Sequence, residues 1–357
     1  MLFIVADLLF IVLNFNNPHY KIVQEPTITT STCDSCEKPD IYYIVVDTYT
    51  SSNILLTNFN YSNSFIEADL KSKGFFIISN SKSNYSYTAF SIGSTLNMNY
   101  YKKVDTINKI FDREYLKAIK NIYKNRLFEF LKSQGYQITN NSLFDIESIP
   151  SSVYKFDNWK IRDLYDQYNL FFKMKQDLGY HLPKWAQHIL WKNSYSITDP
   201  KNRQLLDSNV YTHLEQSISF KNNEPKFVYA HFLKPHPPYG YDSLGVVIDT
   251  KIIGVEEAYI HQIASSNILI RKVTDSILAN SSKPLVIIIQ GDHGTSITNQ
   301  NIPAKKLNNF NAIYFSDKEY GLLNDSITNV NTFRIILNKY FNTNLPMLPD
   351  QFYIFKD

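Results

Sequence analysis

Basic clusters, cysteine frameworks, internal repeats and apolar runs of bilayer length are what this chain of 357 residues lacks. Its 36 Lys and Arg against 33 Asp and Glu leave a formal charge of +3, and the cations never gather in more than a pair. Nucleic-acid binding needs a concentrated positive footprint, so that class of partner is excluded. Cysteine is confined to Cys33 and Cys36, as Cys-Asp-Ser-Cys. A zinc ribbon needs a second pair and a thioredoxin-like site needs a βαβ context, so a small loop disulfide or two idle thiols is the reading. Oxidation in an extracytoplasmic setting would close too short a loop to add much stability.

Met1 to Phe15 is apolar except for Asp7 and Asn14. It falls short of the ~20 residues that span a bilayer, and it has neither the basic start nor the small-residue cleavage site of a signal peptide. We expect the end or remnant of a membrane anchor here, in competition with a helix that packs on the domain. Residues 16–38 carry Pro18, Pro26 and a Thr/Ser run and read as a linker. The domain then covers residues 39–357.

What is present is a large core. Hydrophobic residues make up 44% of the chain, with 26 Tyr and 24 Phe, and buried-strand patterns alternate with helical ones. Leu285 to Ile289 is a run of branched aliphatics, as expected of a strand covered on both faces in a mostly parallel sheet. Ile41 to Val46 and Phe227 to His231 read the same way, and Glu256 to Asn280 has helical spacing that joins two strands into a βαβ unit. A single amphipathic helix is expected over Lys117 to Gln134, closed by Gly135. Ser151 to Pro225 holds the three Trp with His181, His188 and His213, and reads as a cover without a motif.

Chemistry gathers at the strand ends, where open α/β sheets bind ligands. One strand ends in Asp47, another in Asp292 and His293 between Gly291 and Gly294, and a third runs into His231 and the stiff loop Pro235-His236-Pro237-Pro238. An isolated Asp-His pair is often only a polar turn, and a loop histidine often only a surface residue; recurrence at three strand ends argues for a site. Ser83 to Met98 is a hydroxyl-rich stretch entering a helix, where a hydroxyl can meet a phosphate or sulfate or can simply cap the helix. Residue types alone leave Ser86, Thr88 and Ser91 as equal candidates.

With these segments aligned, the chain resembles the sulfatase-like branch of the alkaline phosphatase superfamily, and within it the membrane-associated phosphoethanolamine and phosphoglycerol transferases that use a threonine nucleophile. The resemblance covers about Pro39 to Leu348, and Thr88-Ala89-Phe90-Ser91 matches that family's Thr-Ala-x-Ser. It implies an α/β/α sandwich around a large, mostly parallel sheet, and Thr88 as nucleophile. It implies one divalent ion, Zn or Mn with Mg also suited, held by Asp47, Thr88, Asp292 and His293. It further implies that His236 and His231 bind the substrate's anionic group. The implied activity is hydrolysis or transfer of phosphoester, or sulfoester, groups on a lipid or glycan of the cell envelope, outside the cytoplasm and in association with a membrane. No Cys/Ser-x-Pro-x-Arg motif surrounds Thr88 or the cysteines, which argues against sulfate esters. A non-catalytic envelope domain that keeps the fold for binding is the alternative.

Overall fold

The computed structural model describes residues 28, 38–101, 112–153, 200–221, 223–240, 242–246, 248, 253–297 and 303–355, which belong to one compact unit. The apolar segment 1–15, the cysteine pair, the three tryptophans, His181, His188 and the helix expected over Leu164 to Leu178 lie outside the described residues.

Six strands form one sheet: β1 (Asp40–Val46), β2 (Phe76–Ile77), β3 (Gln137–Asn141), β4 (Lys226–Phe232), β5 (Leu285–Gly291) and β6 (Asn311–Phe315), in the order β2-β6-β5-β1-β4-β3. The four strands from β5 to β3 run parallel, and β6 turns antiparallel to β5. Every residue of β1 and β5 is buried, as their apolar runs Ile41 to Val46 and Leu285 to Ile289 require of strands covered on both faces.

Alternation along β1 separates two cores. Tyr42, Ile44 and Val46 pack with Val210 and Leu214 of helix α6 (Pro200–Ser219) and with Ile263, Ile270 and Val273 of α7 (Val255–Asn280). Tyr43, on the other face, stacks on Tyr229 at 5.3 Å between centroids and meets Phe333 of α8 (Asn329–Phe341) edge-on at 5.0 Å. Helices therefore cover the sheet on both sides, in the alkaline phosphatase-like α/β/α arrangement.

The remaining helices are α1 (Ser52–Phe59), α2 (Ser64–Ser72), α3 (Thr88–Asn97), α4 (Asp112–Tyr123) and α5 (Arg126–Ser133). The single helix expected over Lys117 to Gln134 is thus two. Asn125 is extended, with φ −125° and ψ 150°, and its side chain accepts from Phe128 N at 3.0 Å while donating to Ile122 O at 2.8 Å. One amide closes α4 and caps α5, which hydrophobic periodicity does not register. Asn97, the last residue of α3, ties that break down by donating to Asn121 O at 2.9 Å and accepting from Arg126 N at 3.3 Å. Gly74 closes α2 with φ +91°, as its position suggests.

Gly291 ends β5 where the chain passes the backbone of Tyr49, and a Cβ there would run into the Tyr49 carbonyl oxygen. Backbone cannot swing aside as a side chain can, so Gly291→Ala should destabilise the fold by about 1–3 kcal/mol. Gly321→Ala, where an added Cβ meets nothing within 4 Å, should be close to neutral in the same denaturant titration.

Candidate active site

The register of the central strands sets the site. Val46 pairs with Gly291 on one side and Phe232 on the other, so Asp47 and Asp292 emerge side by side at the carboxyl ends of adjacent parallel strands. Asp47, Asp292 and His293 each offer a ligand atom within 4.8 Å of the others, the single such cluster among the described residues.

Asp292 is held in one orientation. Its Oδ1 accepts from Thr48 N and from His293 N, both at 2.8 Å, which leaves Oδ2 pointing into the cluster. His293 Nδ1 lies 2.8 Å from the Gly294 carbonyl, which can only accept, so the ring hydrogen sits on Nδ1 and Nε2 is bare. That bare nitrogen is 3.4 Å from Asp292 Oδ2 and 3.3 Å from Thr88 Oγ1. Thr88 is the first residue of α3, whose N-cap Tyr87 supplies no side-chain cap.

The structure separates the three hydroxyls that composition could not. Ser91 is buried and donates to the Asp292 carbonyl at 2.5 Å, and Ser86 Oγ accepts from Phe355 N at 2.9 Å. Thr88 alone of the three reaches the acid and histidine cluster. His236 lines the same cleft of about 250 Å³, together with Thr88, Tyr115, His293 and Lys306. His231 lies elsewhere: it is 0% exposed at the end of β4, its Nδ1 3.2 Å from Tyr229 Oη and its Nε2 3.8 Å from Asp47 Oδ2. A direct substrate contact needs exposure that this ring lacks, and its neighbour is Asp47.

Electrostatics distinguish the two carboxylates. Burial pushes Asp47 up, but the imidazoles of His236, His231 and His293 outweigh it and hold the group below the usual carboxylate range. Asp292 moves the other way, raised by burial and by the charge of Asp47. Asp47 Oδ1 and Asp292 Oδ2 are both buried without a hydrogen-bond partner. Orphaned acceptors at this depth are costly unless a cation meets them, and two carboxylates with a bare imidazole are a donor set for Zn²⁺, Mn²⁺ or Mg²⁺. The residues fit a divalent ion.

Tyr115, on α4, went unnoticed in the sequence. Burial and the nearby Asp47 carboxylate push its phenol up to about 12, so it stays a neutral donor facing the cleft. Arg203 of α6, whose Nη1 lies 3.2 Å from both His236 O and His236 Nδ1, was missed for the same reason, since no motif surrounds either residue.

A buried acid–imidazole cluster with an adjoining hydroxyl thus lies at the strand ends of an alkaline phosphatase-like fold, where such sheets bind ligands. The sulfatase family model matches residues 39–336, and the chain belongs to that family. Among solved structures, the integral membrane lipooligosaccharide phosphoethanolamine transferase A of Neisseria meningitidis is similar at 13% identity and a TM-score of 0.56, over 95% of this chain and 61% of that one. The chain therefore spans about three-fifths of that protein's length. The soluble domain of the same transferase matches at 13% identity and a TM-score of 0.55, over 92% of this chain and 95% of that one. The C-terminal periplasmic domain of EcEptC from Escherichia coli, in complex with Zn, matches at 11% identity and a TM-score of 0.52, over 90% and 87%. A search of curated proteins finds no match.

Adding Zn²⁺ or Mn²⁺ to metal-stripped protein should raise the melting temperature, by an amount equivalent to about 2.7 kcal/mol when free metal is 100 times its Kd. The gain should be lost in Asp292→Asn. Protons compete for Asp292, whose pKa is raised, so metal stabilisation should fade on acidification from above the ordinary carboxylate range. Without metal the sign reverses. A raised folded-state pKa means that ionising Asp292 works against the fold as pH rises, so metal-free Asp292→Asn should melt higher than wild type at neutral pH and lose that advantage in acid. Differential scanning calorimetry across pH, with and without chelator, reads both effects.

Proposed function

We propose that this chain transfers or hydrolyses phosphoester groups through a covalent intermediate on Thr88. The observation that carries the reading is the Thr88 hydroxyl, placed 3.3 Å from the bare Nε2 of His293 beside two buried carboxylates. Thr88 Oγ gives up its proton to solvent and forms the new bond to phosphorus, while the ester oxygen leaves with its bonding pair and takes up a proton; water or an acceptor hydroxyl, losing its own proton, then displaces Thr88, whose oxygen is protonated again. Asp47, Asp292, His293 and Thr88 would hold the ion. When bound, a divalent ion lowers the pKa of a threonine hydroxyl and offsets charge on the transferred group.

The protein's own groups account for the rest. Thr48 N–H fixes Asp292, Gly294 O fixes the His293 tautomer, and His231 supports Asp47 from behind. His236, across the cleft from Thr88, meets the anionic oxygens, with Tyr115 as a second donor. Sulfate esters are the weaker substrate class, because Thr88 has none of the Cys/Ser-x-Pro-x-Arg surroundings.

We extend the same reading to context. The similar enzymes are named for phosphoethanolamine transfer and for lipooligosaccharide, and one matched domain is named as periplasmic. These names support a catalytic domain over residues 39–357 working outside the cytoplasm on a phosphorylated lipid or glycan, with residues 1–15 as a membrane anchor. Among the described residues no helix is long and apolar enough to cross a membrane.

The test is intact-mass analysis of zinc-loaded protein incubated with phosphatidylethanolamine vesicles. Wild type should gain the mass of one phosphoethanolamine group, mapped to Thr88 by peptide sequencing. Thr88→Ala should fold and show no adduct. His236→Ala should still form it slowly, with about 2–4 kcal/mol of transition-state stabilisation lost. An adduct on any other residue, or wild-type turnover by Thr88→Ala, would sink the assignment.

A further inference from the structure

Helix α6 carries two charged side chains that grip the histidine loop. Arg203 and Asp207 lie one turn apart on the same face, and each is 6% exposed. Asp207 Oδ1 accepts from Leu233 N at 2.7 Å, where β4 gives way to the loop. Three residues on, Arg203 Nη1 donates to His236 O at 3.2 Å and lies 3.2 Å from the Nδ1 of the same histidine. Helix and loop are thus joined at two points that bracket the turn delivering His236 to the cleft.

The ring is held at its Nδ1 edge. Pro237 O lies 2.5 Å from His236 Nδ1 and, as an acceptor, favours a hydrogen there. Arg203 Nη1 reaches the same edge of the ring and the carbonyl of the same residue. With Nδ1 approached from both sides, Nε2 is the nitrogen left to meet a ligand.

We propose that Arg203 is a positioning residue which fixes His236 by its carbonyl and its Nδ1 edge so that Nε2 faces the substrate's anionic group, with Asp207 fixing the start of the loop. This rests on the reading that His236 meets that group. It gives α6 a role in recognition rather than the role of a bare cover.

The experiment measures inorganic phosphate binding to the zinc-loaded full chain, by calorimetry, for wild type, Arg203→Met, Arg203→Lys, His236→Ala and the double variant Arg203→Met/His236→Ala. The Thr88 adduct rate is followed in parallel. Loss of one charge-assisted donor predicts roughly tenfold or more weaker phosphate binding in His236→Ala. Arg203→Met should come close to that loss, Arg203→Lys should recover part of it, and the double variant should lose no more than His236→Ala alone. Histidine ¹⁵N spectra, with the His236 signal identified by its absence from His236→Ala, should show the His236 ring signals move on phosphate addition in wild type and move far less in Arg203→Met. If Arg203→Met does not fold, Arg203→Gln keeps a donor for the carbonyl without the charge and takes its place. Additive losses in the double variant, or a His236 response to phosphate that is unchanged in Arg203→Met, would overturn the proposal while leaving the function standing. If His236→Ala binds phosphate as tightly as wild type, the role of His236 itself fails and the proposal with it.

Discussion

Two carboxylates buried side by side are the constraint on which this structure depends. The pairing of Val46 with Gly291 brings Asp47 and Asp292 to the same edge of the same sheet, and their mutual repulsion in a low-dielectric setting opposes folding. The surrounding residues answer that repulsion. Three imidazoles stabilise Asp47 as an anion, two backbone N–H groups hold one oxygen of Asp292, and the orphaned oxygens that remain mark the place for a cation. Removing the repulsion is simple chemically, and it would remove the site.

The sheet explains how such an arrangement is carried. Strands β1 and β5 are buried throughout and pair over their full lengths, so the two acids are aimed by the most rigid part of the molecule and not by loops. The loop parts of the site are braced separately. Thr88 starts a helix, His293 is tied to the next carbonyl, and His236 sits in a proline-stiffened turn held from α6. Preorganisation of this kind suits a reaction in which positioning and charge stabilisation do most of the catalysis.

Strand composition made the core readable in the sequence. Unbroken aliphatic runs such as Leu285 to Ile289 have few other uses, and the acids that follow them inherit a location from the strand. The choice of Thr88 over Ser86 and Ser91 was not readable from residue types, because three hydroxyls in a row at a helix start are chemically alike until their partners are known. It came from family resemblance; in the structure Thr88 Oγ1 lies 3.3 Å from His293 Nε2. The helix break at Asn125 escaped because the apolar spacing continues through it. Arg203, Asp207 and Tyr115 escaped for a different reason: each acts on residues 25 or more positions away in the chain, and a contact between distant segments leaves no local pattern. His231 was expected to bind substrate; its burial beside Asp47 depends on which face of β4 it occupies, and a strand buried on both faces does not reveal that.

The tie between Asn97 and the junction of α4 with α5 bears on mechanics. Helix α3 carries Thr88 at one end and this clamp at the other, about 14 Å away at 1.5 Å per residue. A helix is stiff over that distance, so the Asn97 clamp at one end and the Ser91 bond to Asp292 O near the other fix the line of the rod between them. A tilt of a few degrees at Asn97 moves the threonine hydroxyl by most of an ångström, which is comparable to the tolerance for in-line attack. The place of the Thr88 hydroxyl is therefore set in part from a point far outside the cleft, by the Asn97 amide.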